Sequence, residues 1–292
     1  LLSAALRGSG NARMPAMISV GVAMVTTPVS PLLIAGWGPL PSLGVAGAAL
    51  AIVMHNAITS ALLVWYMRSH HCALKLPLAL HAIERRFFSA ILRVGGLSLI
   101  GTIQANLTVI FVTGLVGYFG ANALAGYGIA SRLDYILMPL VFGLGAAVLT
   151  MVGMNVGAGN PARARRVAWY GALLAGLVTE AIGLAAALFP HAWLGLFSSV
   201  PAVIEQGTLY LQAVGPVFGF YGIALTAYFA GQGGGRVTLP TLAGTLRLCV
   251  AAAGGWYVVT MLHGDAGALF LVVGAGYAVS AMVSVVFLLR RF

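Results

Sequence analysis

Eight apolar runs, each long enough to cross the hydrocarbon layer of a bilayer, follow one another along this chain. A spanning helix needs about 20 apolar residues. Hydrophobic residues make up 61% of the chain and charged residues only 7%, against about 25% charged residues in soluble domains. We therefore predict an all-α membrane protein and exclude a soluble globular domain. The predicted spans are approximately 14–37, 43–67, 89–117, 122–156, 163–190, 201–230, 237–261 and 266–289.

Lysine and arginine residues are concentrated in alternate connections between these runs. They lie before the first full run, after the second, fourth and sixth, and at the C-terminus, whereas the connections near 38–42, 118–121, 191–200 and 262–265 contain none. Because short basic loops stay on the cytoplasmic side, we expect a cytoplasmic C-terminus. The net charge of +10 then reflects topology and contacts with anionic membrane lipids, and no nucleic acid is expected as a partner.

A change in composition divides the chain into three parts. Residues 69–87 combine several histidines with basic residues, which is typical of a linker at the membrane surface. We predict that residues 1–68, with the end of one helix and two spans, form the C-terminal part of a first lobe. Residues 69–87 would be a cytoplasmic linker between the lobes, and residues 88–292 a second lobe of six spans.

A weak internal repeat supports two similar lobes. Segment 44–48, GVAGA, resembles segment 264–268, GDAGA, which lies 220 residues later. A glycine-rich turn that ends in arginine precedes each copy, at 8–13 and 231–236. A repeat of this length holds six spans, and an even number leaves both lobes facing the same way. On this reasoning we expect about 130 residues with four spans before Leu1, and twelve spans in the complete protein.

Four stretches occur in an order that is shared with a known family. Residues 143–160 read GLGAAVLTMVGMNVGAGN, and the others are 6–10 (LRGSG), 29–36 (VSPLLIAG) and 124–132 (LAGYGIASR). Together they resemble the multidrug and toxic compound extrusion (MATE) family. The resemblance implies a two-lobe helical bundle around a cleft, of which this chain holds about eight of the twelve transmembrane helices.

The same resemblance implies a function. It implies a secondary active transporter that exports amphipathic or cationic small molecules by alternating access, through H⁺ or Na⁺ antiport. We expect no cofactor apart from that coupling ion, a bacterial inner membrane as the location, and a monomer when the protein is full length. The sequence departs from the family at positions that some members use for the coupling ion, which are Thr26, Ser30, Gln104 or Ala105, and Gly219.

Four charged residues lie well inside the predicted spans, away from their ends, and a charge at the bilayer centre costs about 2.5–3.5 kcal/mol on insertion scales. Asp134 or Glu180 could exchange a proton for a cationic substrate, because removal from water favours the neutral form of a carboxyl group. Alternatively, either acid forms a structural ion pair with Arg247. The fourth charged residue is Arg132.

Neutral polar residues in the spans are further candidates for the substrate and cation path. They could bind substrate, or they could join one helix to another at about 0.6 kcal/mol each. Tyr127, Phe220 and Tyr221 could stack on cationic aromatic compounds or simply pack. With the charged residues, the predicted path consists of Thr26, Ser30, His55, Asn56, Gln104, Asn106, Asp134, Glu180 and Arg247.

Two other classes of protein are alternatives to an exporter. A lipid-linked oligosaccharide flippase shares a two-lobe architecture, but its cavity needs to be distinctly cationic to hold pyrophosphate. Away from their ends, the predicted spans offer only Arg132 and Arg247. A membrane-embedded enzyme needs clustered catalytic groups or metal ligands. The six histidines are scattered and no H-E-x-x-H pattern occurs, so neither an enzyme nor a metal site is predicted.

Overall fold

The computed structural model describes residues 1–36, 42–69, 72 and 85–289. All regular secondary structure within these residues is helical, and eight segments are long and apolar enough to cross a membrane. The prediction of an all-α membrane protein is thus confirmed. The helices are α1 Leu2–Gly8, α2 Arg13–Ala35, α3 Val45–Arg68, α4 Arg85–Gly117, α5 Ala121–Ala130, α6 Arg132–Gly157, α7 Pro161–Leu188, α8 Pro190–Leu194, α9 Pro201–Val214, α10 Phe218–Gly233, α11 Thr238–Cys249, α12 Gly255–Thr260 and α13 Ala266–Leu289.

The chain divides into two compact units, Leu1–Ala82 and Ile83–Phe292. In the first unit, α2 packs along α3 and a small core forms around Leu6, Leu63 and Met67. The predicted linker 69–87 lies largely outside the described residues, so its boundaries stay a prediction.

The second unit, built from α4 to α13, has two buried clusters. The tyrosine cluster includes Tyr127, Leu137, Tyr210 and Phe270. The alanine cluster brings α7 against α6 and α10 through small side chains, among them Ala168, Ala172, Ala227 and Ala230. Small residues at the contacts let helix backbones approach closely, as expected for helices that associate within lipid.

Helix α7 shows which solvent surrounds this unit. Its buried face carries alanines such as Ala172, which is 1% exposed, while the large side chain of Leu177 is 62% exposed. A soluble protein would bury the leucine and expose a smaller or polar residue. The arrangement is stable only where hydrocarbon covers the outer face, so this is a multi-pass membrane protein.

Three of the predicted spans are interrupted within the described residues. The fourth span breaks at Ser131, between α5 and α6. The sixth contains a short 3₁₀ turn at Gly215–Val217, because Pro216 has no backbone N–H to continue the helical pattern. In the seventh, a π-helical stretch at Val250–Gly254 separates α11 from α12. Such interruptions inside a membrane are stable only where protein or water satisfies the backbone.

Candidate functional site

Asp134 lies just after the break in the fourth span. Its backbone N–H donates to the Ser131 carbonyl at 3.1 Å, which places the carboxylate in the first turn of α6. At the break this side chain faces α9, where the hydroxyl of Tyr210 donates a hydrogen bond to Asp134 Oδ2 at 3.4 Å. Among the described residues, this long hydrogen bond is the only one to the Asp134 carboxylate, because the buried Oδ1 of Asp134 has no partner among them.

Tyr210 is held in position by aromatic packing. It is 2% exposed, and its ring meets Tyr127 edge-on with centroids 5.2 Å apart. It meets Phe270 in the same way at 5.2 Å, while Tyr127 stacks on Phe270 at 6.0 Å. Rings in these geometries attract each other in addition to the apolar area that they bury. The packing of these rings therefore holds the Tyr210 hydroxyl facing Asp134.

Close contact between α5 and α9 makes this aromatic packing possible. A Cβ added at Gly126 would come within 2.5 Å of the Val203 carbonyl oxygen, and one at Gly207 would come within 3.1 Å of the Gly126 carbonyl oxygen. Because both positions are glycine, the two helices approach until their backbones touch. Tyr127 and Tyr210 follow these glycines in sequence and meet at the same contact.

Arg247 contributes a positive charge to the site without an ion pair to any carboxylate that the structure describes. Its guanidinium lies over the ring of Tyr277, 5.2 Å from the centroid, and Tyr277 packs edge-on against Tyr221 at 5.6 Å. Arg247 interacts electrostatically with Asp134. Within the described part of the chain, however, neither acid of the predicted path lies within 4.0 Å of it, so the alternative of a contact ion pair is not realised.

Glu180, the second acid of the predicted path, has a different environment. Its Oε2 accepts a hydrogen bond from the backbone N–H of Gly219 at 2.7 Å. Gly219 stands in the first turn of α10, directly after the 3₁₀ turn. Helix starts leave N–H groups without intrahelical partners, and a negative charge is favourable there. Glu180 therefore caps α10 within the bilayer.

The two polar candidates on α4 behave differently. Gln104 is 8% exposed, and its Nε2 donates to the Thr245 hydroxyl of α11 at 2.7 Å. Its buried Oε1 has no partner among the described residues. Asn106 is exposed and donates to the Thr102 carbonyl of its own helix at 2.9 Å. The structure thus gives Gln104 an interhelical contact and Asn106 a local one.

The four candidates of the first unit lie on α2 and α3. The Thr26 hydroxyl donates to the Val22 carbonyl at 2.9 Å and lies 3.0 Å from His55 Nδ1, so these two side chains are brought together. Ser30 is half-buried one helical turn further along α2. Asn56 is exposed and donates to the Ile52 carbonyl of its own helix at 2.9 Å.

The sequence predicts Asp134 and Arg247 as residues of the site, but it does not single out Tyr210 and Tyr277. A tyrosine inside an apolar span is itself a signal, since a buried phenol needs a hydrogen-bond partner. Chemically, the site offers a carboxylate with one phenol donor, one unpartnered oxygen and a nearby guanidinium. It can bind and release a proton or hold a cationic group. Among the described residues no group of three or more His, Cys, Asp or Glu is placed to hold a metal ion.

Known proteins resemble this chain in sequence. The MatE family profile matches residues 98–257. Among curated relatives, the probable multidrug resistance protein YoeA of Bacillus subtilis is 30% identical over 214 residues, which are 70% of this chain and 44% of YoeA. The FAD transporter of Shewanella oneidensis is 26% identical over 220 residues, which are 75% of this chain and 49% of that protein. The chain thus spans about half the length of the curated relatives it matches.

Solved structures resemble it in fold. The MATE transporter ClbM in complex with Rb⁺ matches with a TM-score of 0.84 at 20% identity, covering 98% of this chain and 62% of ClbM. An outward-facing multidrug resistance MATE family transporter matches with a TM-score of 0.85 at 19% identity, covering 97% and 63%. At this level of identity the likeness establishes the fold alone.

Proposed function

This chain belongs to the MatE family, and from that premise we propose that the complete protein is a secondary active exporter of amphipathic or cationic small molecules. The observation that carries the proposal is the Asp134 site. A carboxylate lies inside a lipid-embedded helical bundle with a single described hydrogen-bond donor, Tyr210, and without an ion-pair contact. Such intramembrane carboxylates characteristically belong to proton relays and substrate paths.

The coupling ion that this geometry favours is H⁺. A proton needs one acceptor oxygen, and Asp134 Oδ1 provides one that is unpartnered among the described residues. Hard metal cations bind through several oxygen ligands, and around Asp134 the described contacts supply only the Tyr210 hydroxyl. We therefore place the proton-binding step of antiport at Asp134.

Charge at Asp134 would link the proton to the transport cycle. Without a proton, the carboxylate attracts Arg247 and any cationic substrate that enters the path. With a proton, that attraction is lost. The interactions between the helices that carry Asp134, Tyr210 and Arg247 then change. A ligand can drive a conformational change only if it binds the two states differently. We propose that proton and substrate do so by competing for this charge during alternating access of two lobes.

Glu180 has a structural part in this proposal. It was also a candidate for the coupling acid, but its carboxylate is engaged by the Gly219 N–H at 2.7 Å. Releasing that oxygen for transport would leave a backbone donor of α10 without its partner, which costs about 1–3 kcal/mol. Asp134 faces no such penalty at Oδ1. The two acids thus provide a direct test of the assignment.

The distribution of arginine residues also indicates the orientation of the chain in the membrane. Arg163, Arg165 and Arg166 lie in the first turns of α7, and an excess of arginine in short connections and near the ends of spans indicates the cytoplasmic side. We propose a bacterial inner membrane location with the C-terminus in the cytoplasm, and a full-length protein that works as a monomer. The orientation can be tested with single cysteines in the 191–200 connection and at the C-terminus. We expect the first to react with an impermeant reagent from outside and the second only from the cytoplasmic side. Labelling of both from the same side would contradict the orientation.

The experiment uses full-length protein in proteoliposomes loaded with a fluorescent organic cation. We expect an imposed pH gradient to drive its transport, Asp134→Asn to abolish that response, and Glu180→Gln to retain it. The matched pair makes the same carboxylate-to-amide change in neighbouring spans. A pH response that survives in Asp134→Asn removes this residue from the mechanism. Transport driven by a Na⁺ gradient alone would show that the coupling ion is assigned wrongly.

A further inference from the structure

A cavity of about 390 Å³, open to the surface of the protein, lies at the arginine-rich start of α7, away from the Asp134 site. Arg165, Arg166, Trp169, Tyr170 and Leu289 line it. The first four come from two consecutive turns of α7, and Leu289 is the final residue of α13. Since side chains four apart lie on the same helix face, Arg165 stands above Trp169 and Arg166 above Tyr170.

The positive charge of this cavity is not balanced by the described protein. Arg165 and Arg166 are exposed, and neither has an ion pair with a described carboxylate. The nearest acid on the same helix is Glu180, about 21 Å further along it at 1.5 Å per residue. The helix also begins here, with Asn160 Oδ1 accepting from the Arg163 N–H at 3.2 Å, and the positive end of its dipole adds to the charge.

The walls of the cavity change from charged to apolar within a short distance. Tyr170 is 70% exposed and Leu289 is 63% exposed, and Trp169 is half-buried beside them. Trp and Tyr side chains favour the level of the lipid headgroups, with apolar rings toward hydrocarbon and a polar edge toward water. A ligand that fits is therefore anionic at one end and apolar at the other.

We propose that this cavity binds the headgroup of an anionic phospholipid. Arginine forms paired hydrogen bonds with phosphate oxygens, so Arg165 and Arg166 would hold the phosphate. Trp169 and Tyr170 would contact the glycerol region, and Leu289 the start of an acyl chain. A free phosphate ion would use the arginines but gain nothing from the aromatic and apolar wall.

The test compares lipid binding by native mass spectrometry of the full-length protein. Phosphatidylglycerol or phosphatidylcholine is titrated into detergent-solubilised wild type and into the double variant Arg165→Gln/Arg166→Gln. We expect wild type to bind phosphatidylglycerol more tightly than phosphatidylcholine. In the double variant, the affinity for phosphatidylglycerol should fall by about tenfold or more. The control Arg13→Gln/Arg163→Gln removes two exposed arginines outside the cavity and should bind as wild type does. An equal loss in the control would show diffuse charge attraction and overturn the proposal.

A second measurement does not depend on the arginine variants. Phosphatidylglycerol with brominated acyl chains should quench the fluorescence of wild type more than that of Trp169→Phe, and brominated phosphatidylcholine should not discriminate between them. Equal quenching of both proteins by the anionic lipid contradicts the site. Inorganic phosphate at the same concentration should not displace the lipid. Full displacement would identify the site as one for free phosphate and overturn the lipid assignment.

Discussion

The carboxylate of Glu180 on α7 accepts a hydrogen bond from the Gly219 N–H on α10 at 2.7 Å. Residue 219 must be small for this approach, since an added Cβ would come within 2.8 Å of Glu180 Oε2 and 3.1 Å of Glu180 Cβ. Gly219 and Glu180, which lie on different helices, thus form the hydrogen bond at the start of α10, after Pro216. The family resemblance predicted a lost acid at position 219, and the structure shows a carboxylate from α7 beside it.

Removing the Glu180 cap should destabilise the second unit. We expect Glu180→Ala to lower the free energy of unfolding by about 1–3 kcal/mol, because the Gly219 N–H loses its acceptor inside the bundle. Glu180→Gln keeps an acceptor oxygen of the same reach and should lose less. Thermal unfolding in detergent measures the difference. Equal losses in both variants would mean that the negative charge, and not the hydrogen bond, is what stabilises α10.

If Asp134 carries the coupling proton, as proposed above, Tyr210→Phe in the full-length protein should shift the pH dependence of transport. The Tyr210 hydroxyl donates to Asp134 Oδ2, and a donor favours the ionised carboxylate. Without it, Asp134 holds its proton at higher pH, so the pH of half-maximal transport should move upward. Initial rates in proteoliposomes across a pH series measure the shift. Tyr221→Phe, whose hydroxyl makes no described hydrogen bond to Asp134, should shift it less, and equal shifts would exclude a specific role for Tyr210.

The contact between α5 and α9 can be tested with two glycines on α5. Gly126→Ala places a methyl group against the backbone of α9, and overpacking of this kind costs about 1–3 kcal/mol. Gly128→Ala enters open space and should be neutral or slightly stabilising, because alanine favours helix over glycine by up to about 1 kcal/mol. Melting temperatures compare the two. A neutral Gly126→Ala would show that the helices can separate without loss.

The Gln104–Thr245 contact should behave as an interhelical hydrogen bond. In a double-mutant cycle of Gln104→Leu and Thr245→Val, we expect a coupling energy of about 0.6 kcal/mol, which is the average for such pairs in membranes. The same cycle with Asn106→Leu should give no coupling, because Asn106 bonds within its own helix. Unfolding in detergent supplies the energies. Equal coupling in both cycles would contradict the contact at 2.7 Å.

The spans could be predicted from sequence because lipid imposes both their length and their apolar composition. The break at Pro216 was also predictable, since proline removes a backbone donor. The break at Ser131 has no proline. It depends on how α5 and α6 pack against other helices, and a periodic pattern within one run carries no information about that packing.

The site was predictable only in part, for a related reason. Asp134 and Arg247 stand out because a charge within a span is costly. Their partners come from other helices, since Tyr210 lies 76 residues after Asp134 and Tyr277 belongs to α13. Which tyrosine reaches which charge depends on helix rotation and depth, and these follow from packing of glycines and aromatic rings rather than from composition.

The π-helical stretch at Val250–Gly254 has a consequence for insertions and deletions. A π turn accommodates one residue more than an α turn, and each residue of an α-helix corresponds to a rotation of about 100°. Deleting one alanine from this stretch would therefore let the turn close as a regular α turn while α11 and α12 keep close to their present relative rotation. Deleting Leu248 from the regular part of α11 would instead rotate the residues before it by about 100° and carry the Arg247 guanidinium away from the Tyr277 ring. This span can thus lose a residue at the π stretch without moving that cation, but not between the stretch and Arg247.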